Sequence, residues 1–195
     1  MGLAITKGEN ALAIAVAENG ERFTIQEGLS ADLVHQLRER SLDRSDTELA
    51  KTSDYERFGK GSFDDWYASK ERTLYALISD TGMLAALAWF GPKPLGRKSA
   101  KHLSEQERSE DERTMDSGGW HTIVYRSYPP FRGKGLMTDF VRFAMEEYIR
   151  VHPGIRLWSG IFAHNPASMG LAKKLGFVVS EEHSNEGGET ILVKE

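Results

Sequence analysis

A β-branched, aromatic run that passes through two glycines into a long amphipathic helix leaves a chain few ways to fold, and residues 120–149 have this layout. Trp120-His121-Thr122-Ile123-Val124-Tyr125 has the composition of a strand. From Met137 onward the apolar residues are Met137, Phe140, Val141, Ala144, Met145, Tyr148 and Ile149. That i, i+3, i+4, i+7 spacing predicts one buried helix face, with Asp139, Arg142, Glu146, Glu147 and Arg150 left for water. His152-Pro153-Gly154 is a helix stop.

Between strand and helix lies Arg132-Gly133-Lys134-Gly135-Leu136-Met137. The first N–H groups of a helix have no internal partner and carry the positive end of its dipole. Gly133 and Gly135 put no side chain in the way of an anion, and Arg132 and Lys134 add positive charge. The same glycines also suit a plain tight turn, so the loop by itself leaves both readings open. A Walker loop needs Ser or Thr after its lysine, and Gly135 follows Lys134. The dinucleotide fingerprint needs Gly or Ala at position 138, where Thr138 stands.

The chain has 195 residues, enough for one domain with a proper core. With 28% charged and 39% hydrophobic residues it reads as a soluble globular protein. A net charge of −4 speaks against a general binder of nucleic acid or anionic membrane. The absence of cysteine excludes disulfides, thiolate nucleophiles and cysteine-held zinc. The six histidines (35, 102, 121, 152, 164 and 183) lack metal-ligand spacing, so no metal is expected. Ala15-Val16-Ala17 imitates a signal-peptidase site and Met1-Gly2 with Thr6 fits a myristoylation pattern, but Lys7-Gly8-Glu9-Asn10 is a poor lead-in and the segment reads as a strand. No run approaches a membrane span, and a cytoplasmic location is the expectation.

Residues 11–17 and 22–26 form an expected hairpin around Asn19-Gly20. Ser30 caps an expected helix to about Arg40 with Leu33, Val34 and Leu37 inward. Residues 41–61 are polar and expected to be irregular, and 63–70 to be a short helix carrying Phe63, Trp66 and Tyr67. Residues 73–79 and 83–90 make a second hairpin, ending in Trp89 and Phe90. The segment 91–119 runs from basic to acidic with almost no apolar residues, and is expected to be a mobile excursion. Residues 155–162 are apolar on both faces, hence a central strand. Asn165-Pro166 caps a helix with Met169, Leu171, Ala172 and Leu175 inward and Gly176 at its end. Residues 177–180 and 190–194 make a last hairpin.

Two of these stretches resemble the GNAT superfamily of N-acetyltransferases. Its hallmark, Arg/Gln-x-x-Gly-x-Gly/Ala, is similar to Arg132, Gly135 and Met137, with Met in the last place. Its "Asn…Tyr-x-Lys-Leu-Gly-Phe" ending is similar to Asn165, Lys174, Leu175, Gly176 and Phe177, with Ala172 where the family often has Tyr. The resemblance implies an α/β (α+β) fold: a mixed, mostly antiparallel, twisted sheet of about seven strands flanked by about four helices. Residues 1–195 would be a single domain, with 1–20 as an extra N-terminal strand and 91–119 as a charged insertion.

The resemblance further implies acetyl-CoA as co-substrate and transfer of its acetyl group to a primary amine of a small molecule or peptide. Tyr125, Arg126 and Ser127 would lie along the pantetheine arm. Arg132, Gly133, Lys134, Gly135, Leu136, Met137 and Thr138 would receive the pyrophosphate through main-chain N–H groups, and Asn165 and Ser168 would touch the far side of the arm. The amine must shed a proton, since a lysine-type ammonium has a reference pKa of about 10.4. His164 and His121 are candidate bases, His164 being preferred beside Asn165. An N–H near Ser127 would stabilise the oxyanion, and Tyr125 or Tyr128 would stand in for the missing phenol at Ala172. The aromatics Phe63, Trp66, Tyr67, Trp89 and Phe90 suggest a partly apolar wall for the acceptor, although Phe63, Trp66 and Tyr67 read first as core. The missing phenol equally suits a non-catalytic acyl-CoA-binding module. Nucleic acid and membrane are not expected partners, and a homodimer is left open.

Overall fold

In the computed structural model the described residues are 2–8, 11–52, 72–97, 117–184 and 189–194. They carry nine strands, and every strand pair whose register is resolved is antiparallel except one, so the sheet is mixed and mostly antiparallel. The chain divides into two compact units, Met1–Phe90 with Val124–Val151, and Gly91–Ile123 with His152–Glu195.

In the first unit β1 (Leu3–Lys7), β2 (Ala13–Ala17), β3 (Arg22–Glu27), β4 (Thr73–Ser79) and β5 (Leu84–Pro92, its last two residues in the second unit) pair as antiparallel neighbours in chain order. Gly20 and Gly82 turn two of the hairpins at positive φ, 83° and 80°, where a side chain would be strained. Residues 1–20, expected to supply one extra strand, supply two. β4 and β5 are buried along nearly their whole length. Both faces of this part of the sheet are therefore covered, and the strands read as unbroken apolar runs.

Helix α1 (Ala31–Leu42) covers one face, capped as expected by Ser30, whose Oγ accepts from Leu33 N–H at 3.3 Å. Its Leu33 and Leu37 cluster with Leu74, Ala76, Ile78, Leu84, Leu87 and Trp89. Residues 41–61 were expected to be irregular, yet α2 (Thr47–Thr52) forms there. A single buried leucine, Leu49, holds this short helix to the same cluster, too little apolar periodicity to show in the sequence. Helix α3 (Met137–Val151) packs on the side of Tyr75 and Phe90, with Tyr148 stacked on Phe90 at 4.5 Å between ring centres.

Phe140, Val141, Ala144, Met145 and Tyr148 form the buried stripe of α3 that the periodicity predicts, but Met137 is half-buried and Ile149, expected in the stripe, is exposed. Glu147, expected in water, is buried. The reason is β1, which runs alongside the helix: Leu3 N–H donates to Asp139 Oδ2 at 2.8 Å, and Lys7 Nζ lies 2.9 Å from Glu147 Oε1. Four strand steps of about 3.3 Å match eight helical steps of about 1.5 Å, so both contacts form at once. The hydrogen bond from Lys7 and those from Arg150 hold the Glu147 carboxyl below its ordinary pKa, against the effect of burial.

β6 (Trp120–Ser127) contributes residues to both units. In the second unit its first residues pair in parallel with β7 (Arg156–Phe162), Trp120 opposite Arg156, after the α3 crossover that a parallel pair requires. β7 is flanked on its other side by β9 (Glu189–Lys194), which also carries the short β8 (Val178–Val179). The strand apolar on both faces is thus interior, as its sequence implies. Helix α4 (Pro166–Lys174) follows β7. Most of the segment 91–119, the helix expected over 63–70 and the turn at 185–188 lie outside the described residues. No helix among the described residues is long and apolar enough to cross a membrane.

Candidate functional site

In the first unit the end of β6, the glycine loop and the head of α3 form one continuous piece of chain. The loop is wound by its own backbone: Phe131 and Arg132 N–H donate to Tyr128 C=O at 2.9 and 3.1 Å, and Lys134 N–H to Phe131 C=O at 3.4 Å. Phe131 and Leu136 are buried and pin its two ends, while Gly133 and Gly135 are exposed between them. Both glycines have positive φ, 80° and 73°, and a Cβ built on Gly133 meets nothing within 4 Å. Both glycines therefore serve conformation, and the space at Gly133 is open.

Phe140 N–H is the first in α3 to reach back along the helix, to Leu136 C=O at 3.2 Å. Leu136 thus stands at the cap position with no side-chain acceptor to offer. Among the described residues, no hydrogen bond uses the N–H groups of Gly133, Gly135, Leu136, Met137 or Thr138. Open amides at the positive end of a 15-residue helix are donors of the kind an anion takes.

The two basic side chains expected to add charge there have other partners. Arg132 donates through Nη1 and Nη2 to the two oxygens of Asp46, at 2.6 and 2.7 Å, and through Nε and Nη2 to Ser127 C=O at 3.2 and 2.8 Å. The Asp46 hydrogen bonds raise the Arg132 pKa further, so the guanidinium is permanently charged. Lys134 Nζ sits 3.2 Å from Glu21 and 5.1 Å over the Phe131 ring. What this corner offers an anion is thus its backbone amides and the helix dipole.

Along β6, Tyr125 and Ser127 are half-buried. Arg126 is buried, its guanidinium 5.3 Å from the centre of the Trp89 ring. Tyr128 is fully buried in the α1 cluster, and burial pushes its phenol up in pKa despite the nearby charges of Arg126, Arg40 and Arg132. Burial removes it from the proton donors available to a substrate in solvent. Trp89 and Phe90, expected to line an acceptor wall, are at 1% and 0% exposure and belong to the core. Phe63, Trp66 and Tyr67 lie outside the described residues.

In the second unit Asn165 caps α4, its Oδ1 accepting from Ser168 N–H at 3.1 Å, with Pro166 first in the helix. His164 is exposed and stacks on Phe162 at 5.3 Å. His121 is half-buried, 5.8 Å from the ring of His152. Ala172 is 1% exposed, and its carbonyl takes the Leu175 and Phe177 N–H groups at the helix end. Residues 125–138 are thus brought together in one unit and 164–168 in the other. Among the described residues no cluster of carboxylates and histidines could hold a metal ion.

Asp46 and Arg40 were not visible as site residues. Asp46 caps α2 through Leu49 N–H at 3.1 Å, which Asp-Thr-Glu-Leu hints at locally. Its pairing with Arg132 spans 86 residues and has no sequence signal.

Comparison with known proteins agrees with this geometry. The GNAT domain of PAT from S. lividans is 16% identical, covers 98% of this chain and 96% of that one, and superposes with a TM-score of 0.59. AAC(6')-Ib in complex with ribostamycin and coenzyme A is 15% identical, with 87% and 91% covered and a TM-score of 0.57. The ribosomal-protein-S5-alanine acetyltransferase from Vibrio fischeri is 11% identical, with 88% and 92% covered and a TM-score of 0.58. These likenesses establish the fold. No curated protein matches the chain in sequence. The family pattern described as "Acetyltransferase (GNAT) domain" matches residues 37–178, most of the chain and both halves of the resemblance. The strand, the open glycine loop and the Asn165-capped helix are therefore parts of a GNAT acetyltransferase domain, and the chain belongs to that family.

Proposed function

We propose that the chain is an acetyl-CoA-dependent N-acetyltransferase acting on a primary amine of a small molecule or peptide. The observation that carries this reading is the set of open amides at Gly133, Gly135, Leu136, Met137 and Thr138, with both loop glycines at positive φ and nothing within 4 Å of a Cβ built on Gly133. A coenzyme diphosphate fits that chemistry, being doubly anionic and bound by main-chain donors without need of a lysine. Tyr125, Arg126 and Ser127 lead into the loop and are assigned to the pantetheine arm; Asn165 and Ser168, at the head of α4, are assigned to the arm on the family resemblance. AAC(6')-Ib, captured with ribostamycin and coenzyme A, supports an amine acceptor by analogy.

In the reaction the neutral amine nitrogen attacks the acetyl carbonyl carbon, an N–C bond forms, the C–S bond breaks and the thiolate leaves. The nitrogen loses a proton on the way. His164 is assigned as its acceptor, because the ring is exposed beside the α4 cap. A main-chain N–H near Ser127 is assigned to the oxyanion. With Tyr128 in the core, Tyr125 remains as the phenol on β6 able to protonate the thiolate. Ala172 supplies no phenol, which favours as a second reading a module that binds acyl-CoA without turnover.

The experiment is a thermal-shift series with acetyl-CoA, CoA, ATP and NAD, followed by free-thiol release from acetyl-CoA across an amine panel. Stabilisation by acetyl-CoA with amine-dependent thiol release supports the transferase. Stabilisation without release with any amine selects the binding module. Greater stabilisation by ATP or NAD overturns both.

A further inference from the structure

We infer that Asp46 is a positioning residue for the coenzyme loop, acting through Arg132; the inference rests on the coenzyme reading above. Arg132 closes the loop on itself, since its side chain donates twice to Ser127 C=O five residues earlier. Two further N–H groups go to Asp46, so a single guanidinium joins the end of β6, the loop and the first residue before α2. A second grip comes from α1, where Arg40 Nη1 donates to Pro129 C=O at 2.7 Å. The α1–α2 segment therefore holds the loop at two points from outside it.

The bidentate pair has a particular consequence for binding. Besides the turn hydrogen bonds and the buried Phe131 and Leu136, the spacing of Ser127 and Arg132 helps to hold the amides as a set, because Gly133 and Gly135 supply no stiffness of their own. Fixing the fork of Arg132 in a planar two-point contact with Asp46 sets that spacing before any ligand arrives, which reduces the ordering cost of binding. It also turns the Arg132 charge toward Asp46, so the open amides at 133 and 135–138 do the recognising. Asp46 does not touch those amides itself.

Asp46→Asn is the informative substitution, because asparagine caps a helix as well as aspartate does and leaves α2 intact. It removes the charge-assisted fork, whose loss lowers acetyl-CoA affinity by at least about tenfold. Calorimetry of acetyl-CoA binding is the direct readout, and in turnover the change falls on KM for acetyl-CoA while KM for the amine stays put. Arg132→Lys keeps the charge but not the fork, so it gives a similar loss without leaving Asp46 alone, and serves if Asp46→Asn folds poorly. The double variant loses no more than either single one, because both act through one contact. Additive losses, or wild-type affinity in Asp46→Asn, overturn the inference while the coenzyme reading stands. A wild-type protein that binds neither acetyl-CoA nor CoA overturns the coenzyme reading, and this inference falls with it.

Discussion

Replacing Arg132 by Met removes a guanidinium from a carboxylate that cannot follow it into water. The Asp46 side chain is 4% exposed and that of Arg132 30%. Without Arg132, the hydrogen bond that remains to the Asp46 carboxylate among the described residues is the one from Leu49 N–H. Breaking a buried pair from one side costs about 3–5 kcal/mol, and water reaching the partly open Arg132 position favours the lower end, about 3 kcal/mol. For a chain of this size that is a fall in Tm of roughly 6–12 °C. The pH dependence makes the test sharper. Burial pushes the Asp46 carboxyl up in pKa, but hydrogen bonds from Arg132 and Leu49 and the charges of Arg132 and Arg40 outweigh it and hold the group below its ordinary value. A lowered folded pKa contributes stability above the unfolded value of about 3.9, and that contribution is lost as pH falls through the folded value. In Arg132→Met the strongest of these lowering influences is gone, so the folded pKa rises above its wild-type value. The variant then has less of this contribution to lose, and its deficit shrinks as pH falls below about 3.9 toward the wild-type folded value. Thermal unfolding of both proteins followed by circular dichroism from neutral pH down to about 2 measures this. A deficit below about 1 kcal/mol at pH 7, or one that does not narrow in acid, would refute the argument.

Three further outcomes are expected. Gly135→Val forces a β-branched residue to a φ of 73°, and is expected to cost about 1–3 kcal/mol and to weaken acetyl-CoA binding more than tenfold by calorimetry; unchanged affinity would make the loop purely structural. Ala172→Tyr places a phenol at a position 1% exposed, so chemical denaturation should show a loss of about 1–3 kcal/mol, whereas undiminished stability would mean the site has room for the ring. Glu147→Gln removes a buried charge whose folded pKa is lowered, chiefly by the Lys7 hydrogen bond. Because Lys7 is 67% exposed the loss is expected to be about 1 kcal/mol near neutrality, vanishing in acid below the carboxyl's ordinary value, and urea midpoints at pH 7 and pH 3.5 check it.

Local chemistry determined the parts of this protein that the sequence by itself made legible. The strand before the glycines, the helix from Met137, the Ser30 and Asn165 caps and the interior strand at 156–162 each follow from a few neighbouring residues. The glycine loop and the Asn165 helix together also carried the resemblance to the family that the match over residues 37–178 establishes. Tertiary structure alone decided which side chains those elements meet. Trp89 and Phe90 end a strand covered on both faces, so aromatics that look available in the sequence are core. Glu147 sits on the polar side of its helix by periodicity, but β1 lies over that position and buries it beside Lys7. Arg132 looks like a phosphate ligand until Asp46, 86 residues earlier, takes its guanidinium. Backbone preference and capping act over a few residues and leave a mark in the sequence, whereas a contact between distant segments depends on where the whole sheet carries them.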